Sequence, residues 1–263
     1  MTLTRQELHT ELLAWFRRAG RSLPWRETRD PYAILVSEIM LQQTQVTRVV
    51  ERWTAWIERW PTAEALAVAS TADVVRAWSG LGYNRRAINL QRAARVVAEA
   101  GEFPRTLDAL RALPGVGPYT ASAIACFAFD AQLTTVDVNV RRVLTRVLEV
   151  EDAPPPPGRA WEWNQALFDL GAQVCLARVP RCERCPLAER CPSRGLVFAP
   201  LRRQSRFEGS RRQRRAALVR ALAEGPQADD GYDRDVVDSL LADGLAVRGE
   251  DGLLTLPEEV SAP

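Results

Sequence analysis

Apolar residues recur every three to four positions along most of the chain, a period that is typical of amphipathic helices. The first such segment spans residues 5–16, where Leu8, Leu12, Leu13 and Phe16 share one helical face. Prolines stand at the starts or stops of many of these segments. The same period predicts further helices at residues 34–50, 49–60, 63–69, 72–78, 85–100, 107–112, 119–127, 138–148 and 161–174. No strand-like alternation competes before residue 200, so the predicted fold class is all-α.

Two stretches interrupt the helical pattern. Four prolines at residues 154–157, followed by Gly158, form a stiff connector that cannot be helical. Residues 200–215 are rich in arginine and poor in apolar residues, which indicates a basic linker. Beyond it, the pattern predicts helices at 216–223 and 233–242 and a hairpin at 245–256. We therefore expect residues 216–263 to form a small winged-helix-like module.

Composition excludes several classes of mechanism. All 35 basic residues are arginine, so no lysine can form a Schiff base with a substrate. We expect the only histidine, His9, to lie at the surface of an N-terminal helix, which argues against histidine triads and histidine metal sites. The longest apolar run, residues 121–129, is about half of a membrane span. The chain shows no secretory signal pattern, so we expect a cytoplasmic monomer that does not engage a membrane.

Four of the five cysteines lie within seventeen residues, spaced C-x6-C-x2-C-x5-C, at Cys175, Cys182, Cys185 and Cys191. An iron–sulfur cubane takes four cysteine ligands, whereas structural zinc usually takes two CxxC pairs or a mixture with histidine. Only one CxxC pair is present here, which favours a [4Fe-4S] cluster and leaves zinc as the alternative. Disulfides are disfavoured in a chain with no secretory pattern. We expect Cys126, in an apolar helix, to be a core residue.

A glycine-rich turn, LPGVGPYT at residues 113–120, precedes the predicted helix 119–127. Gly115 and Gly117 let the backbone approach a ligand, and amides at a helix N-terminus attract anions. The turn could hold a DNA phosphate, or it could simply start the helix.

Two carboxylates have environments that favour opposite protonation states. Glu38 stands among apolar residues, where desolvation disfavours the charged form and would let the carboxyl act as a general acid. Asp137 precedes a predicted helix, whose N-terminus stabilises a carboxylate. An acid paired with a carboxylate is the combination that cleaves glycosidic bonds. The alternatives are a polar helix face for Glu38 and a plain N-cap for Asp137.

Several motifs in this order resemble the helix-hairpin-helix DNA glycosylases, most closely the MutY-type adenine DNA glycosylases. The matching stretches are LPWR (23–26), SEIMLQQTQV (37–46), GLGY (80–83), LPGVGPYTASAI (113–124), VDVNVRRVL (136–144), NQALFDLGAQVC (164–175) and the four-cysteine loop. They cover about residues 8–195, and SEIMLQQTQV separates this family from endonuclease III relatives. The resemblance implies a six-helix barrel lobe at 30–137 and an iron–sulfur lobe built from 1–29 and 138–199.

The resemblance also implies roles for individual residues. Glu38 would protonate adenine, Asp137 would stabilise the cationic sugar, Tyr119 would assist these carboxylates, and Asn139 would hold Asp137 or a phosphate. Positions around the extruded base match Trp25, Arg26, Leu41 and Gln165, and positions that probe or wedge the duplex match Gln42, Gln43 and Tyr83. The endonuclease III lysine is replaced by Tyr119, which implies base removal without lysine-dependent strand cleavage. The implied substrate is duplex DNA with adenine opposite 8-oxoguanine or guanine.

The chain departs from the family pattern at three places. Asn84 replaces the second tyrosine of GLGYY, and the connector between residues 148 and 161 is short. Seventy-two residues follow Cys191, fewer than the MutT-like domain that usually reads 8-oxoguanine. Two other functions stay open: a thymine or uracil glycosylase at guanine mismatches, and a catalytically silent DNA-binding iron–sulfur protein.

Overall fold

The computed structural model describes residues 4–199 and 206–258. Twelve α-helices and one small hairpin make up the regular structure of these residues, which confirms the all-α prediction. The elements are α1 Arg5–Ala19, α2 Pro31–Leu41, α3 Val46–Arg59, α4 Ala63–Ala67, α5 Thr71–Ala77, α6 Arg85–Ala100, α7 Leu107–Arg111, α8 Pro118–Phe129, α9 Val138–Leu148, α10 Ala160–Gln173, α11 Arg211–Glu224, α12 Arg234–Ala242, β1 Val247–Arg248 and β2 Leu254–Thr255. No helix in the described ranges is long and apolar enough to cross a membrane.

The chain divides into two compact units, and the first comprises Met1–Arg29 and Gly117–Arg203. Its core lies between α1, α9 and α10, where Leu8, Leu12, Val143, Trp163 and Leu167 are fully buried. The sequence placed the lobe boundary at residue 137/138, whereas this unit already takes in α8, which packs against α10.

His9 is not the surface residue that the sequence suggested. Its imidazole is half-buried and meets the Trp163 ring edge-on, with 4.8 Å between ring centroids. Burial lowers the pKa of His9, a hydrogen bond from its imidazole to the backbone carbonyl of Pro154 opposes this shift, and the charge of Arg5 reinforces it. The residue is therefore part of the packing between α1 and α10, which a single histidine on a helix does not reveal from sequence.

The second unit comprises Asp30–Val116 and Gln204–Pro263. Its helix α2 is buried along most of its length and packs against α3 and α6. A cluster of three tryptophans supports this core: the Trp56 ring centroid lies 4.7 Å from that of Trp60 and 5.5 Å from that of Trp78.

The predicted helix at 34–50 is interrupted, which corrects the sequence interpretation. Helix α2 ends at Leu41 and α3 begins at Val46, so Gln42, Gln43 and Gln45 lie in a turn. Gln43 takes a left-handed backbone with φ of 56°. At this break the buried Arg86 of α6 donates to the carbonyls of Ile39, Met40 and Gln42, so these groups are satisfied without a continuing helix.

The C-terminal residues form a small module of two helices followed by a hairpin, as the sequence predicted. Helix α11 begins at Arg211, so the predicted linker is helical over its last five residues; Ser210 caps this helix by accepting from the Gln213 amide. Strands β1 and β2 pair antiparallel, with Val247 opposite Thr255. The module packs on α5 and α6 through one core that contains Ala72, Val75, Ile88, Leu218, Leu222, Leu240 and Leu254.

Candidate active site

Asp137 is the N-cap of α9, and both of its carboxylate oxygens accept hydrogen bonds. Oδ1 accepts from the amides of Asn139 at 2.8 Å and Val140 at 2.7 Å, and Oδ2 accepts from the Asn139 side-chain amide at 2.7 Å. The side chain is half-buried. These three hydrogen bonds therefore hold the Asp137 carboxyl group in one orientation.

Asn139 is in turn held by Arg142, which the sequence interpretation did not single out. Arg142 Nη2 donates to Asn139 Oδ1 at 2.9 Å and to the Gly171 carbonyl at 2.8 Å, and its Nε donates to the Cys175 carbonyl at 2.9 Å. Gly171 must lack a side chain, because a Cβ there would lie 2.9 Å from Cβ of Asn139. One arginine thus connects the orientation of Asp137 to the start of the cysteine loop.

From the role that the resemblance implies for Asp137, we expect Arg142→Gln to slow base excision more than it weakens DNA binding. The variant loses the hydrogen bonds that fix Asn139, and a small displacement of a catalytic group can lower the rate about 100-fold. Single-turnover excision at saturating enzyme and duplex dissociation constants, measured together, would separate the two effects. Arg141→Gln is the matched control, since Arg141 is exposed and its ion pair with Glu151 spans 3.5 Å. Equal rates for both variants would contradict the positioning role.

Asn164, on α10, fixes the extended segment that leads to Asp137. It is fully buried; its Oδ1 accepts from the Thr135 amide at 2.6 Å and its Nδ2 donates to the Leu133 carbonyl at 2.9 Å. In the sequence, Asn164 is a polar residue on an otherwise apolar helical face, which is a sign of a buried polar contact. Its partners, about 30 residues away in the chain, cannot be predicted from that pattern.

Glu38 lies on α2 in the second unit and is only 5% exposed. Among the acidic side chains that the structure describes, Glu38 and Asp169 are the two that are buried. This burial agrees with the apolar environment expected from the sequence. The protonation state of Glu38 and its pairing with Asp137 stay predictions.

Trp25, Arg26 and Gln165, predicted to surround an extruded base, are all in the first unit. Trp25 and Arg26 occupy a single turn at Pro24–Arg26, and Trp25 and Gln165 are buried. Arg26 makes a two-pronged ion pair with Asp169, at 3.0 and 2.8 Å, and Arg21 joins the same carboxylate. Burial would raise the pKa of Asp169, but hydrogen bonds and charges from Arg26 and Arg21 outweigh it and lower the value.

Gln42, Gln43 and Tyr83, predicted to probe the duplex, lie on two loops of the second unit, and Leu41 ends the helix before the first loop. Gln43 and Tyr83 both adopt left-handed backbones, with φ of 56° and 48°. Such strain in residues other than glycine persists only where surrounding structure enforces it. Tyr83 is 40% exposed, so its ring is accessible despite this constraint.

Arg86 enforces the geometry of both loops. Its guanidinium donates to the carbonyls of Ile39, Met40 and Gln42 on one side, and to those of Leu81 and Gly82 on the other, over 2.5–3.1 Å. Its carbon Cζ lies 5.2 Å from the centroid of the Trp78 ring. Burial lowers the pKa of Arg86 to about 10, which still leaves it protonated near neutrality.

Gly115 and Gly117 of the glycine-rich turn have different surroundings. Gly115 has φ of 80°, and a Cβ there would lie 2.8 Å from Cβ of Asn89, so no larger residue fits. Gly117 caps α8 without any side-chain hydrogen bond, and nothing lies within 4 Å of where its Cβ would be. Tyr119 follows on α8, with its ring centroid 6.2 Å from that of Phe168.

Four cysteines, Cys175, Cys182, Cys185 and Cys191, line one small apolar pocket, together with Arg146, Leu170 and Val174. All five cysteines of the chain are free thiols, so the disulfide alternative has no support. The Arg146 guanidinium donates to Cys175 Sγ at 3.5 Å, and the Gly195 amide donates to Cys182 Sγ at 3.4 Å. In the described residues, no three histidine, cysteine, aspartate or glutamate side chains converge closely enough for a single ion.

Cys126 should resist alkylation in the folded protein. Burial raises the pKa of its thiol to about 11, and the hydrogen bond from Asn164 Nδ2 only partly opposes this. At pH 7.5, fewer than about one molecule in a thousand carries the reactive thiolate. Iodoacetamide followed by peptide mass spectrometry should find Cys126 unmodified before, and modified after, unfolding in guanidinium. Quantitative labelling of the folded protein would refute this.

Comparison with known proteins places this arrangement in a family. Residues 36–160 match the model of the HhH-GPD superfamily base excision DNA repair proteins. An adenine DNA glycosylase from Mycolicibacterium smegmatis is 44% identical over 95% of this chain and 96% of its own length. The chain belongs to the adenine DNA glycosylases of the HhH-GPD superfamily.

Other members of the superfamily agree with this assignment. The adenine DNA glycosylase of Homo sapiens is 42% identical over 71% of this chain, which corresponds to 39% of the human protein. Among solved structures, a thermostable thymine-DNA glycosylase aligns with a TM-score of 0.66 at 30% identity, over 72% of this chain and 95% of its own. A trapped endonuclease III–DNA covalent intermediate aligns with a TM-score of 0.61 at 26% identity, over 73% of this chain and 97% of its own.

Proposed function

We propose that this adenine DNA glycosylase hydrolyses the N-glycosidic bond of adenine mispaired with 8-oxoguanine or guanine, and so starts base-excision repair. The observation that carries the proposal is Asp137, whose two oxygens are fixed by three donors at a helix N-terminus. The buried carboxyl of Glu38 supplies the second group that glycosidic cleavage needs.

The two carboxylates have different tasks. Glu38 donates a proton to a ring nitrogen of adenine, so that the base leaves as a neutral molecule. Asp137, held in one orientation by its three donors, stabilises the positive charge that develops on the sugar. Water then adds to the sugar carbon, and its proton passes to a carboxylate. Asn139 orients Asp137 through its 2.7 Å bond, and Tyr119 takes the supporting role that the resemblance to the family implies.

The product is an intact strand with an abasic site. A lyase step needs an amine that forms a Schiff base with the sugar, and the sequence contains no lysine. The enzyme is therefore monofunctional, and strand breaks appear only after alkali.

The four cysteines would hold a [4Fe-4S] cluster. Their thiols line one pocket with apolar walls, and a set of four cysteines with a single CxxC pair and no histidine favours a cubane over zinc. When bound, the cluster supplies a structural cross-link for residues 175–191. Arg190 already ties this loop to α1 through ion pairs with Glu7 and Glu11.

The physiological partner that follows is duplex DNA containing the mispair, bound by a monomer in association with the chromosome. Unstacking the adenine costs a few kcal/mol, and contacts from Trp25, Leu41, Gln165 and the two probing loops offset that cost. The similarity to a thymine-DNA glycosylase at 30% identity makes thymine at guanine mismatches the second candidate. Adenine is favoured because the 44% identity to the smegmatis enzyme extends over nearly both whole chains.

The test is single-turnover cleavage of labelled duplexes, with and without alkali. The panel holds adenine opposite 8-oxoguanine and guanine, thymine and uracil opposite guanine, and a normal A:T pair. We expect alkali-dependent breaks at mispaired adenine alone, and loss of them in Glu38→Gln with binding retained. Glu58→Gln, an exposed change on α3, is the matched control. Cleavage at thymine or uracil opposite guanine would support the second candidate, a glycosylase for pyrimidines at guanine mismatches. Binding without any cleavage would indicate a catalytically silent DNA-binding protein.

A further inference from the structure

A groove of about 900 Å³ lies within the second unit, between the C-terminal module and the two probing loops. Helices α11 and α12 form one wall, and the loops that carry Gln43 and Tyr83 form the other. We call it the arginine groove, since seven of its lining residues are arginines.

The charge of the arginine groove suits a polyanion. The lining residues include one carboxylate, Asp243, which pairs with Arg85 and Arg215. Arg48 and Arg220 are exposed, and within the described ranges no carboxylate forms an ion pair with either. The groove therefore keeps a net positive charge that internal ion pairs do not cancel.

Two aromatic rings face the same space. Phe207 is 52% exposed and Tyr83 is 40% exposed, although both line the groove. The Arg212 guanidinium lies between these residues: its Cζ is 6.0 Å from the Phe207 ring centroid, and its Nη1 donates to the Tyr83 hydroxyl at 3.4 Å. Positive charge beside exposed rings is the arrangement by which proteins bind nucleic acid with unstacked bases.

The N-terminus of helix α11 carries positive charges, which the helix dipole disfavours. Four of its first five residues are arginines, and its first turn contains no acidic residue. Cations near a helix N-terminus oppose the dipole and weaken the helix. Arg211, Arg214 and Arg215 pair with Asp235, Asp233 and Asp243, which offsets part of this repulsion. Phosphates bound in the groove would offset more of it at Arg212, which lines the groove.

We propose that the arginine groove binds one strand of the DNA substrate, with phosphates on the arginines of α11 and an unstacked base against Phe207 and Tyr83. The C-terminal module then forms part of the substrate site and does not serve only as packing for α5 and α6. This proposal rests on the proposed function, because that function supplies a duplex with a disrupted base pair.

The test is equilibrium binding to a mispaired duplex at several salt concentrations. Arg212→Gln combined with Arg220→Gln should weaken binding and reduce the slope of log K against log salt by about 1.8, close to 0.9 for each lost phosphate contact. Arg214→Gln with Arg234→Gln removes the same charge outside the groove and should leave the slope unchanged. Equal slopes for the two double variants would overturn the proposal.

A second variant tests the base contact. Phe207→Ala should weaken binding to a duplex with an unpaired base by about 5- to 150-fold, without change in the salt slope. Binding to a fully paired duplex should change less. An equal loss of affinity for both duplexes would overturn the contact with an unstacked base. So would an equal loss of affinity for heparin, a polyanion that has no bases. Base excision by the wild-type protein is measured separately. If the wild type does not excise adenine but the variants still differ in binding as described, the proposed function is refuted and the groove assignment is retained.

Discussion

Arg86→Met should lower the free energy of unfolding of the second unit by about 3–5 kcal/mol, because each buried carbonyl that loses its donor costs about 1–3 kcal/mol. The variant leaves carbonyls of both loops without their donor: Ile39, Met40 and Gln42 on the α2 side, and Leu81 and Gly82 on the other. Urea denaturation followed by tryptophan fluorescence would measure the change. Affinity for mispaired DNA should also fall, because the loops lose their fixed geometry.

Two companion variants make the Arg86 prediction specific. Arg92→Met, an exposed change on the same helix, should leave the midpoint nearly unchanged. Arg86→Lys should be intermediate, because an ammonium keeps the charge but cannot reach both loops with one planar fork. A lysine variant as stable as the wild type would show that charge alone suffices and would contradict the bridging role.

Asp169→Asn should destabilise the first unit by about 3–5 kcal/mol at pH 7. Asp169 is fully buried. Asparagine at this position has no negative charge, so the Arg26 side chain, which is only 6% exposed, would lose its ion-pair partner. The pKa of Asp169 is lowered in the folded state. Its contribution to stability is therefore complete above the unfolded value near about 4 and is lost as pH falls through the folded value.

The pH dependence gives the sharper measurement for this variant. The difference between wild type and Asp169→Asn should stay constant from about pH 5 to 8 and shrink below about pH 4. Asp130→Asn is the control, because its ion pair with Arg29 is exposed and should be worth less than about 1 kcal/mol. A difference between wild type and Asp169→Asn that grows on acidification would refute the assignment.

Local features of this protein could be predicted from the sequence. Helix α9 begins at Val138 and ends at Leu148 as its apolar period indicates, and Asp137 caps it because aspartate at that position suits exposed helical amides. The cysteine spacing also predicted a shared pocket, which the structure contains. These features depend on residues close together in the chain.

Long-range partners could not be predicted in the same way. Arg86, Arg142 and Asp169 lie in or beside motifs that the resemblance covered, yet their roles depend on partners about 30 to 148 residues away. Periodicity alone continued α2 through the turn at Gln42, because it carries no information about an arginine from another helix. The pairing of Glu38 with Asp137 and the opposite-base preference stay predictions.

The hydrogen bonds of Arg86 also affect the entropy of DNA binding, because they determine when the two loops lose their conformational freedom. The two probing loops take up their strained backbones when the protein folds, so their ordering is already complete before any duplex arrives. Binding then lacks the entropic cost that ordering mobile loops would add. The DNA must make most of the conformational change, so duplexes that open easily at the mispair should bind faster than rigid ones.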